Sequence, residues 1–309
     1  MRIGFFGKGG SGKTTLAAAY VQHTKTKKMT VLAIDADHNS HMAEILQINK
    51  PKNIGNNEEY LQKYYKGNRK DKIIVATTPP NEDSQFTRIN PNDAIMKKFA
   101  TRKENLYFMS VGSYAEEDKG ATCYHGKLDA LAFVMNHLLD TLTDRIIVDS
   151  TAGVDNYGSS LIAAYDINIL IVEPTNKSIA VYQEFKELTQ KLHAPLFVIT
   201  NKIENEEDLK FIEKHIPTEK IIANFEKSNH LKKYEQGQTN KFQEFLDDHI
   251  NQFENIEKKV KTIKKDWTKY MQTLKGIHYN GAKAWWDSFY NEDISGQAKT
   301  NFKYQTKLK

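Results

Sequence analysis

The chain has 309 residues, of which 39% are hydrophobic and 27% charged, and it carries a net charge of +5 with a single cysteine, Cys123. These values exclude collagen-like, disulfide-stapled and wholly disordered proteins. No apolar run reaches the ~20 residues needed to span a bilayer. The length predicts one large domain with an appendage, or two domains. One cysteine and no basic-then-apolar leader predict a cytoplasmic protein.

Short β-rich runs alternate with amphipathic segments of helix length from the start of the chain to about Phe225. The predicted strands are Arg2–Gly7, Thr30–Asp35, Lys72–Thr77, Leu106–Gly112, Arg145–Ser150, Ile167–Glu173, Leu196–Asn201 and Ile221–Phe225. The predicted helices are Thr14–Thr26, Ser40–Leu46, Lys127–Leu142, Ser178–Leu192 and Glu206–His215. Several of the strands are continuously apolar, as expected for strands covered on both faces. The alternation predicts an α/β fold, a doubly wound and mostly parallel sheet with helices on both sides.

The pattern changes after residue 239, which predicts one domain over 1–239 and a helical C-terminal extension over 240–309. Apolar residues recur at spacings of three and four from Phe253 to Leu274, and no glycine or proline interrupts 239–275. This predicts one helix about 50 Å long that ends at Gly276. The extension has 13 lysines against 9 acidic residues and holds all three tryptophans. Packing on the first domain or on a second copy is the simplest role; contact with a protein partner, a membrane surface or DNA is the alternative.

The most informative segment is a glycine-rich run between the first strand and the first helix. It reads Gly7-Lys8-Gly9-Gly10-Ser11-Gly12-Lys13-Thr14-Thr15 and matches G-x-x-x-x-G-K-[ST]. This motif predicts the phosphate-binding loop of a P-loop NTPase, in which backbone N–H groups and the positive end of the helix hold phosphate oxygens. Lys13 would reach the β- and γ-phosphates, and the Thr14 hydroxyl would complete the shell of a Mg²⁺ ion.

A second lysine, Lys8, directly follows the first glycine of this loop. K-G-G-x-G-K-T-T is the deviant Walker A form, and over residues 1 to about 239 the chain resembles the MinD/ParA superfamily of ATPases. In that family the early lysine crosses a homodimer, in which ATP is sandwiched between the subunits, and contacts the phosphates of the facing subunit. The resemblance implies that hydrolysis depends on dimerisation and that Lys8, Lys13 and Asp37 are catalytic.

Further motifs of the superfamily follow in chain order. The resemblance implies that Asp37 positions the attacking water, that Asp35 lies beside the metal or the loop, and that Asp149 holds Mg²⁺ through water. The two acids after the second strand could instead cap the next helix. Thr151-Ala152-Gly153 resembles the switch that senses the γ-phosphate. Asn201 resembles the residue that hydrogen-bonds adenine, which favours ATP over GTP.

Within the superfamily, the segments 35–42, 149–155 and 172–175 look most like the carbon monoxide dehydrogenase accessory ATPases, CooC. Those proteins carry a C-x-C pair before a helix, and the pair binds Ni²⁺ or Zn²⁺ between two subunits. Here Cys123-Tyr124-His125 stands at the equivalent place. Two copies would supply a Cys₂His₂ set, which is adequate for tetrahedral coordination. The alternative is that Cys123 is a small buried hydrophobe and that His125 lies near a helix start.

These observations predict a nucleotide-controlled homodimeric switch that serves a protein partner or a metalloenzyme client by inserting metal. A second hypothesis is a ParA/MinD-type partition or positioning ATPase that acts on DNA, a membrane or a protein partner. A third is a metabolic P-loop kinase or amide-bond-forming enzyme, for which the sequence identifies no substrate pocket.

Overall fold

An eight-stranded sheet forms the centre of the computed structural model, which describes residues 1–37, 41–113, 124–151 and 160–308. The strands are β1 (Arg2–Gly7), β2 (Thr30–Ala36), β3 (Thr101–Lys103), β4 (Leu106–Ser110), β5 (Asp144–Ser150), β6 (Ile167–Val172), β7 (Leu196–Ile203) and β8 (Ile221–Glu226). Their spatial order is β3-β4-β2-β5-β1-β6-β7-β8, and only the β3–β4 pair is antiparallel. The predicted doubly wound, mostly parallel α/β fold is therefore confirmed.

Helices cover both faces of this sheet. They are α1 (Lys13–Lys25), α2 (Met42–Ile45), α3 (Glu58–Lys66), α4 (Ala94–Phe99), α5 (Tyr124–His137), α6 (Leu161–Ala164), α7 (Asn176–Lys191), α8 (Glu206–Glu213), α9 (Asn229–Glu235), α10 (Lys241–Asp248), α11 (Ile250–Thr262), α12 (Trp267–Gly281) and α13 (Asp287–Tyr290). One apolar cluster joins α3, α5 and α7 to one face of the sheet. The other joins α1, α10 and α11 to the opposite face. No helix within the described ranges is long and apolar enough to cross a membrane.

The strand predicted over Lys72–Thr77 is absent, although Ile74, Val75 and Ala76 are buried as a strand would be. Side chains satisfy this backbone in place of a neighbouring strand: the Gln62 amide donates to the Ile74 carbonyl at 2.7 Å and the Asn136 amide donates to the Ala76 carbonyl at 2.7 Å. The sheet edge beside β4 is already occupied by β3. The apolar composition of this segment therefore indicated that it is buried, but not that it pairs with a strand.

The single helix predicted over 239–275 is also wrong, because the chain breaks at His249 and again over residues 263–266. At the second break Ile263 is extended and the Asp266 carboxylate caps α12 by accepting from the Lys269 N–H at 2.9 Å. The Lys265 ammonium turns inward, 2.7 Å from Asp166. The apolar spacing ran through the break unchanged, and Gly276 lies inside α12 instead of ending it.

The first part of the extension packs on the sheet domain, as the simplest sequence reading expected. Phe253 and Ile256 of α11 are buried in the same cluster as α1 and β8. Glu257, on the same helix, accepts a hydrogen bond from the Tyr20 hydroxyl at 2.7 Å and another from Arg145 at 3.0 Å. A buried carboxylate with two donors ties the extension to α1 and to the start of β5.

Candidate functional site

The loop between β1 and α1 has a backbone that only glycine supports at its tightest points. Gly10 and Gly12 adopt positive φ angles of 76° and 89°, which are strained for other residues. A Cβ atom on Gly12 would lie 2.3 Å from the Asn201 amide nitrogen. The Gly12 carbonyl accepts the first bond of α1, from the Leu16 N–H at 2.9 Å. The loop therefore wraps the N-terminal end of α1, the geometry that holds phosphate groups.

The Lys13 ammonium lies between two buried carboxylates at the carboxyl edge of the sheet. It is 2.7 Å from Asp37 Oδ2 and 2.9 Å from Asp149 Oδ1. Burial by itself would lower the pKa of Lys13, but the charges of Asp149 and Asp37 outweigh it and raise that pKa above the usual value. Lys13 is therefore a fixed positive charge, and it sits where the loop, β2 and β5 converge.

Asp35 is a third buried acid beside this pair. It is the Cα partner of Asp149 across the parallel strands β2 and β5. Its carboxylate accepts from the backbone N–H groups of Met42 at 3.0 Å and Asp37 at 3.3 Å. Burial first and the charge of Asp149 second raise the pKa of Asp35 to about 7. Asp35 thus binds the start of α2, as the capping alternative expected, and Asp37 contacts the loop lysine. The water-positioning role of Asp37 stays a prediction.

The residues around Asp149 suit a magnesium ion bound through water. Asp149 is completely buried, and its Oδ2 atom has no hydrogen-bond partner among the described residues. Burial raises the pKa of Asp149, and the charge of Lys13 and the Thr14 hydroxyl act against that rise. Magnesium binds through few protein groups and keeps several waters, so one unpaired carboxylate oxygen near a hydroxyl fits it. No group of three or more His, Cys, Asp or Glu side chains in the described ranges forms a complete metal cage.

A second set of charges surrounds the outer side of the loop. The Lys8 ammonium lies 2.8 Å from Glu173 Oε2, and the Lys202 ammonium lies 2.7 Å from Glu173 Oε1. Lys202 also donates to the Gly10 carbonyl at 2.6 Å. The sequence reading gave Glu173 no role. The available signal was an acid at the carboxyl end of β6, the strand that neighbours β1.

Two other predicted site residues follow or end strands of the sheet. Asn201, at the end of β7, donates its side-chain amide to the Ser11 carbonyl at 2.7 Å. Thr151, at the end of β5, is buried. Cys123, Ala152 and Gly153 lie outside the described residues, as does the side chain of His125. The metal pair and the switch therefore stay predictions.

A glycine-rich loop, its lysine and the strand-end acids define a P-loop nucleotide-binding domain. The chain belongs to the family described as the CobQ/CobB/MinD/ParA nucleotide binding domain, whose model matches residues 5–264. Its similarity therefore runs into the extension as far as the linker before α12. The fold and the sequence together make this a MinD/ParA-type ATP-binding domain.

Curated relatives with similar sequences include archaeal and bacterial proteins. An uncharacterized ATP-binding protein from Methanocaldococcus jannaschii is 27% identical over 226 residues, covering 72% of this chain and 86% of that protein. The carbon monoxide dehydrogenase accessory protein CooC from Rhodospirillum rubrum is 24% identical over 215 residues, covering 69% of this chain and 78% of that protein. The resemblance to CooC seen in the motifs is thus accompanied by an alignment over 69% of the chain.

Solved structures share the fold at lower sequence identity. MinD from Pyrococcus horikoshii in complex with Mg-ADP aligns with a TM-score of 0.53 and 17% identity, covering 84% of this chain and 96% of that one. A ParA family ATPase from Chlorobium tepidum aligns with a TM-score of 0.52 and 17% identity, covering 80% and 90%. At this identity the likeness concerns the fold alone.

Proposed function

We propose that the protein is a magnesium-dependent ATPase that closes into a homodimer around ATP and opens after hydrolysis. The observation that carries this proposal is the Lys13 ammonium between Asp37 and Asp149, with a second lysine, Lys8, at the rim of the same loop. The Lys8 side chain is 31% exposed, so it can leave the loop without being pulled from a core.

Different groups of the chain bind the phosphates, orient the attacking water and bind the base. The N–H groups of residues 9–15 and the N-terminus of α1 bind phosphate oxygens. Lys13 leaves its two carboxylates and contacts the β- and γ-phosphates, which frees Asp37 to orient the attacking water. Bound Mg²⁺, held by Thr14 and through water by Asp149, would supply positive charge to the same oxygens. Asn201, whose amide contacts the loop at the Ser11 carbonyl, is the residue proposed to bind the adenine.

Lys8 supplies the dependence on dimerisation. A positive charge brought by a second subunit stabilises the charge that develops during phosphoryl transfer, and such a contribution is worth roughly 10³-fold or more in turnover. In this scheme the monomer binds ATP but hydrolyses it slowly. The bound nucleotide then controls whether the dimer closes, and the closed dimer controls the interaction with a partner protein.

The test is Lys8→Ala, with Lys63→Ala on α3 as a matched control, since Lys63 is exposed and remote from the loop. We expect the Lys8 variant to bind ATP within about threefold of wild type, to stay monomeric in sedimentation with ATP, and to lose turnover by at least about 100-fold. Unchanged turnover in Lys8→Ala would refute action from the second subunit. The Lys63 variant should behave as wild type.

The client proposed for this switch is a metalloenzyme that receives nickel or zinc, as with CooC-type accessory ATPases. This is supported by the similarity to CooC and by Cys123-x-His125 ahead of α5. Titration of the wild-type dimer with Zn²⁺ or Ni²⁺ should show one ion per dimer, and Cys123→Ser should abolish it. Absence of metal in the wild type, with and without ATP, would remove this role and leave the ATPase switch intact.

The competing function is a partition or positioning ATPase. It is favoured by the extension, where the Trp285 and Phe289 side chains are 74% and 71% exposed one helical turn apart. ATP-dependent binding to non-specific DNA or to anionic vesicles at low salt would support it, because both contacts rest on lysines and are screened by salt. Binding to neither would rule it out.

A further inference from the structure

One carboxylate, Glu173, holds both lysines that stand at the outer side of the phosphate loop. Its two oxygens each take one ammonium, Lys8 on Oε2 at 2.8 Å and Lys202 on Oε1 at 2.7 Å. The arrangement follows from the strand order, since β6 ends beside β1 and β7 ends beside β6. Burial alone would raise the pKa of Glu173, but hydrogen bonds from Lys202 and Lys8 outweigh it and lower that pKa. The carboxylate is therefore charged at neutral pH.

The two lysines are held differently. Lys202 has a second anchor, because its ammonium also donates to the Gly10 carbonyl at 2.6 Å. For Lys8, Glu173 is the ion-pair partner among the described residues. If Lys8 leaves, Glu173 stays paired with Lys202. The loss of Lys8 therefore leaves no buried carboxylate unpaired, a state that would cost free energy. Lys8 is thus the lysine that can be released.

The ion pair between Lys8 and Glu173 is incompatible with the proposed role of Lys8 at the triphosphate of the facing subunit. An ammonium bound to Glu173 of its own subunit cannot also reach the triphosphate of a facing subunit. We infer that Glu173 is a positioning residue that holds Lys8 back in the open monomer and thereby sets the nucleotide concentration at which the dimer closes. The inference rests on the proposed homodimeric switch and adds the residue that restrains it.

Lys202 acts through the same carboxylate and in the opposite sense. It occupies the other oxygen of Glu173, and its positive charge offsets part of the negative charge that attracts Lys8. Removing the Glu173 charge should make closure easier, whereas removing the Lys202 charge should make it harder. Damage to the loop would weaken nucleotide binding in both variants, whereas restraint of Lys8 predicts opposite changes in the ease of dimer closure. The pair of variants therefore distinguishes restraint from a structural role.

The experiment uses the full chain with Mg²⁺ and AMPPNP, and compares wild type with Glu173→Gln and Lys202→Met. Sedimentation gives the AMPPNP concentration for half-maximal dimer formation, and a fluorescent ATP analogue at low protein concentration gives the affinity of the monomer. A partly exposed charge-assisted pair corresponds to a roughly three- to tenfold change. We expect the midpoint to fall by that factor in Glu173→Gln, to rise in Lys202→Met, and the monomer affinity to stay within about twofold.

A third variant ties the effect to Lys8. In the Lys8→Ala background, Glu173→Gln should not restore dimer formation with AMPPNP, since no lysine is left to release. A midpoint in Glu173→Gln equal to or above that of a dimerising wild type overturns the inference, as does a matching loss of monomer affinity. A wild type that stays monomeric at saturating AMPPNP overturns the proposed switch itself, and this inference with it.

Discussion

Asp35 and Asp149 stand directly opposite each other at the carboxyl ends of the adjacent parallel strands β2 and β5, and both are completely buried. Two carboxylates this close, out of water, do not both ionise easily. Burial raises the pKa of both groups; Lys13, 2.9 Å from Asp149, counteracts the rise there, whereas the charge of Asp149 adds to the rise at Asp35, whose pKa reaches about 7. The carboxyl edge of the sheet thus contains a group whose pKa lies near neutral pH.

This relationship predicts a pH dependence of folding. The pKa of Asp35 is raised from 3.8 to about 7 in the folded chain, so the folded state binds the proton more tightly than the unfolded state. The stabilisation from Asp35 is then fully present below pH about 4 and is lost as pH rises to about 7. Urea denaturation without nucleotide should show the wild type losing on the order of 2–4 kcal/mol more than Asp35→Asn over that range. If the free energy of unfolding changed equally with pH in wild type and in Asp35→Asn, the raised pKa of Asp35 would be contradicted. Asp247→Asn on α10 serves as a control at an exposed acid.

Lys13→Ala should abolish measurable ATP binding. The lysine is the only one in contact with Asp37 and Asp149 among the described residues, and the phosphates lose their main positive charge without it. Calorimetric titration should show an affinity at least about 100-fold weaker. Because the variant removes the ion-pair partner of the buried Asp149, Lys13→Gln, which is slightly shorter and keeps an N–H donor, is tested beside it. ATP affinity near wild type in both would refute the loop assignment.

Asp37→Ala should separate nucleotide binding from hydrolysis. Its carboxylate contacts Lys13 at 2.7 Å in the nucleotide-free chain and is proposed to orient water once ATP binds. Loss of a group in this role lowers turnover by roughly 10²–10⁴-fold, and the ATP-bound dimer should persist. Size-exclusion chromatography with ATP should show a stable dimer for the variant and a transient one for wild type. A variant that hydrolyses ATP at the wild-type rate would place the water elsewhere.

Glu257→Ala should destabilise the fold although it lies far from the loop in sequence. Glu257 is buried and accepts from the Tyr20 hydroxyl and from Arg145, so its removal leaves a buried guanidinium without its carboxylate. Breaking such a pair costs about 3–5 kcal/mol. Glu254→Ala on the same helix removes a half-exposed pair with Lys27 and should cost below about 1 kcal/mol. Chemical denaturation of the two variants makes the comparison, and equal losses would contradict the anchoring role of α11.

Local patterns in the sequence anticipated most of the sheet and its phosphate loop. Continuous apolar runs such as Ile167–Val172 identified buried strands because such strands are covered on both faces. The same criterion failed at Lys72–Thr77, where burial came without a neighbouring strand. The elements β3, α3, α4, α6 and α9 were not predicted, and none of them is longer than nine residues.

The extension shows the limit of periodicity. Apolar spacings of three and four indicate which side of a helix is buried. They do not reveal a break between two helices when the same spacing continues after it. At this break the Lys265 ammonium lies 2.8 Å from Asp140 and 2.7 Å from Asp166. Those carboxylates come from distant parts of the chain.

The sequence by itself determined the phosphate-binding loop, because its glycines, lysines and threonine are contiguous and their spacing dictates a backbone that few other sequences adopt. Only the tertiary structure decided which charge each lysine meets. Lys13 lies between Asp37 and Asp149, and Lys8 meets Glu173, because the strand order β2-β5-β1-β6-β7 brings five strand ends to one edge. That order depends on the packing of the whole chain, and no local run of residues encodes it.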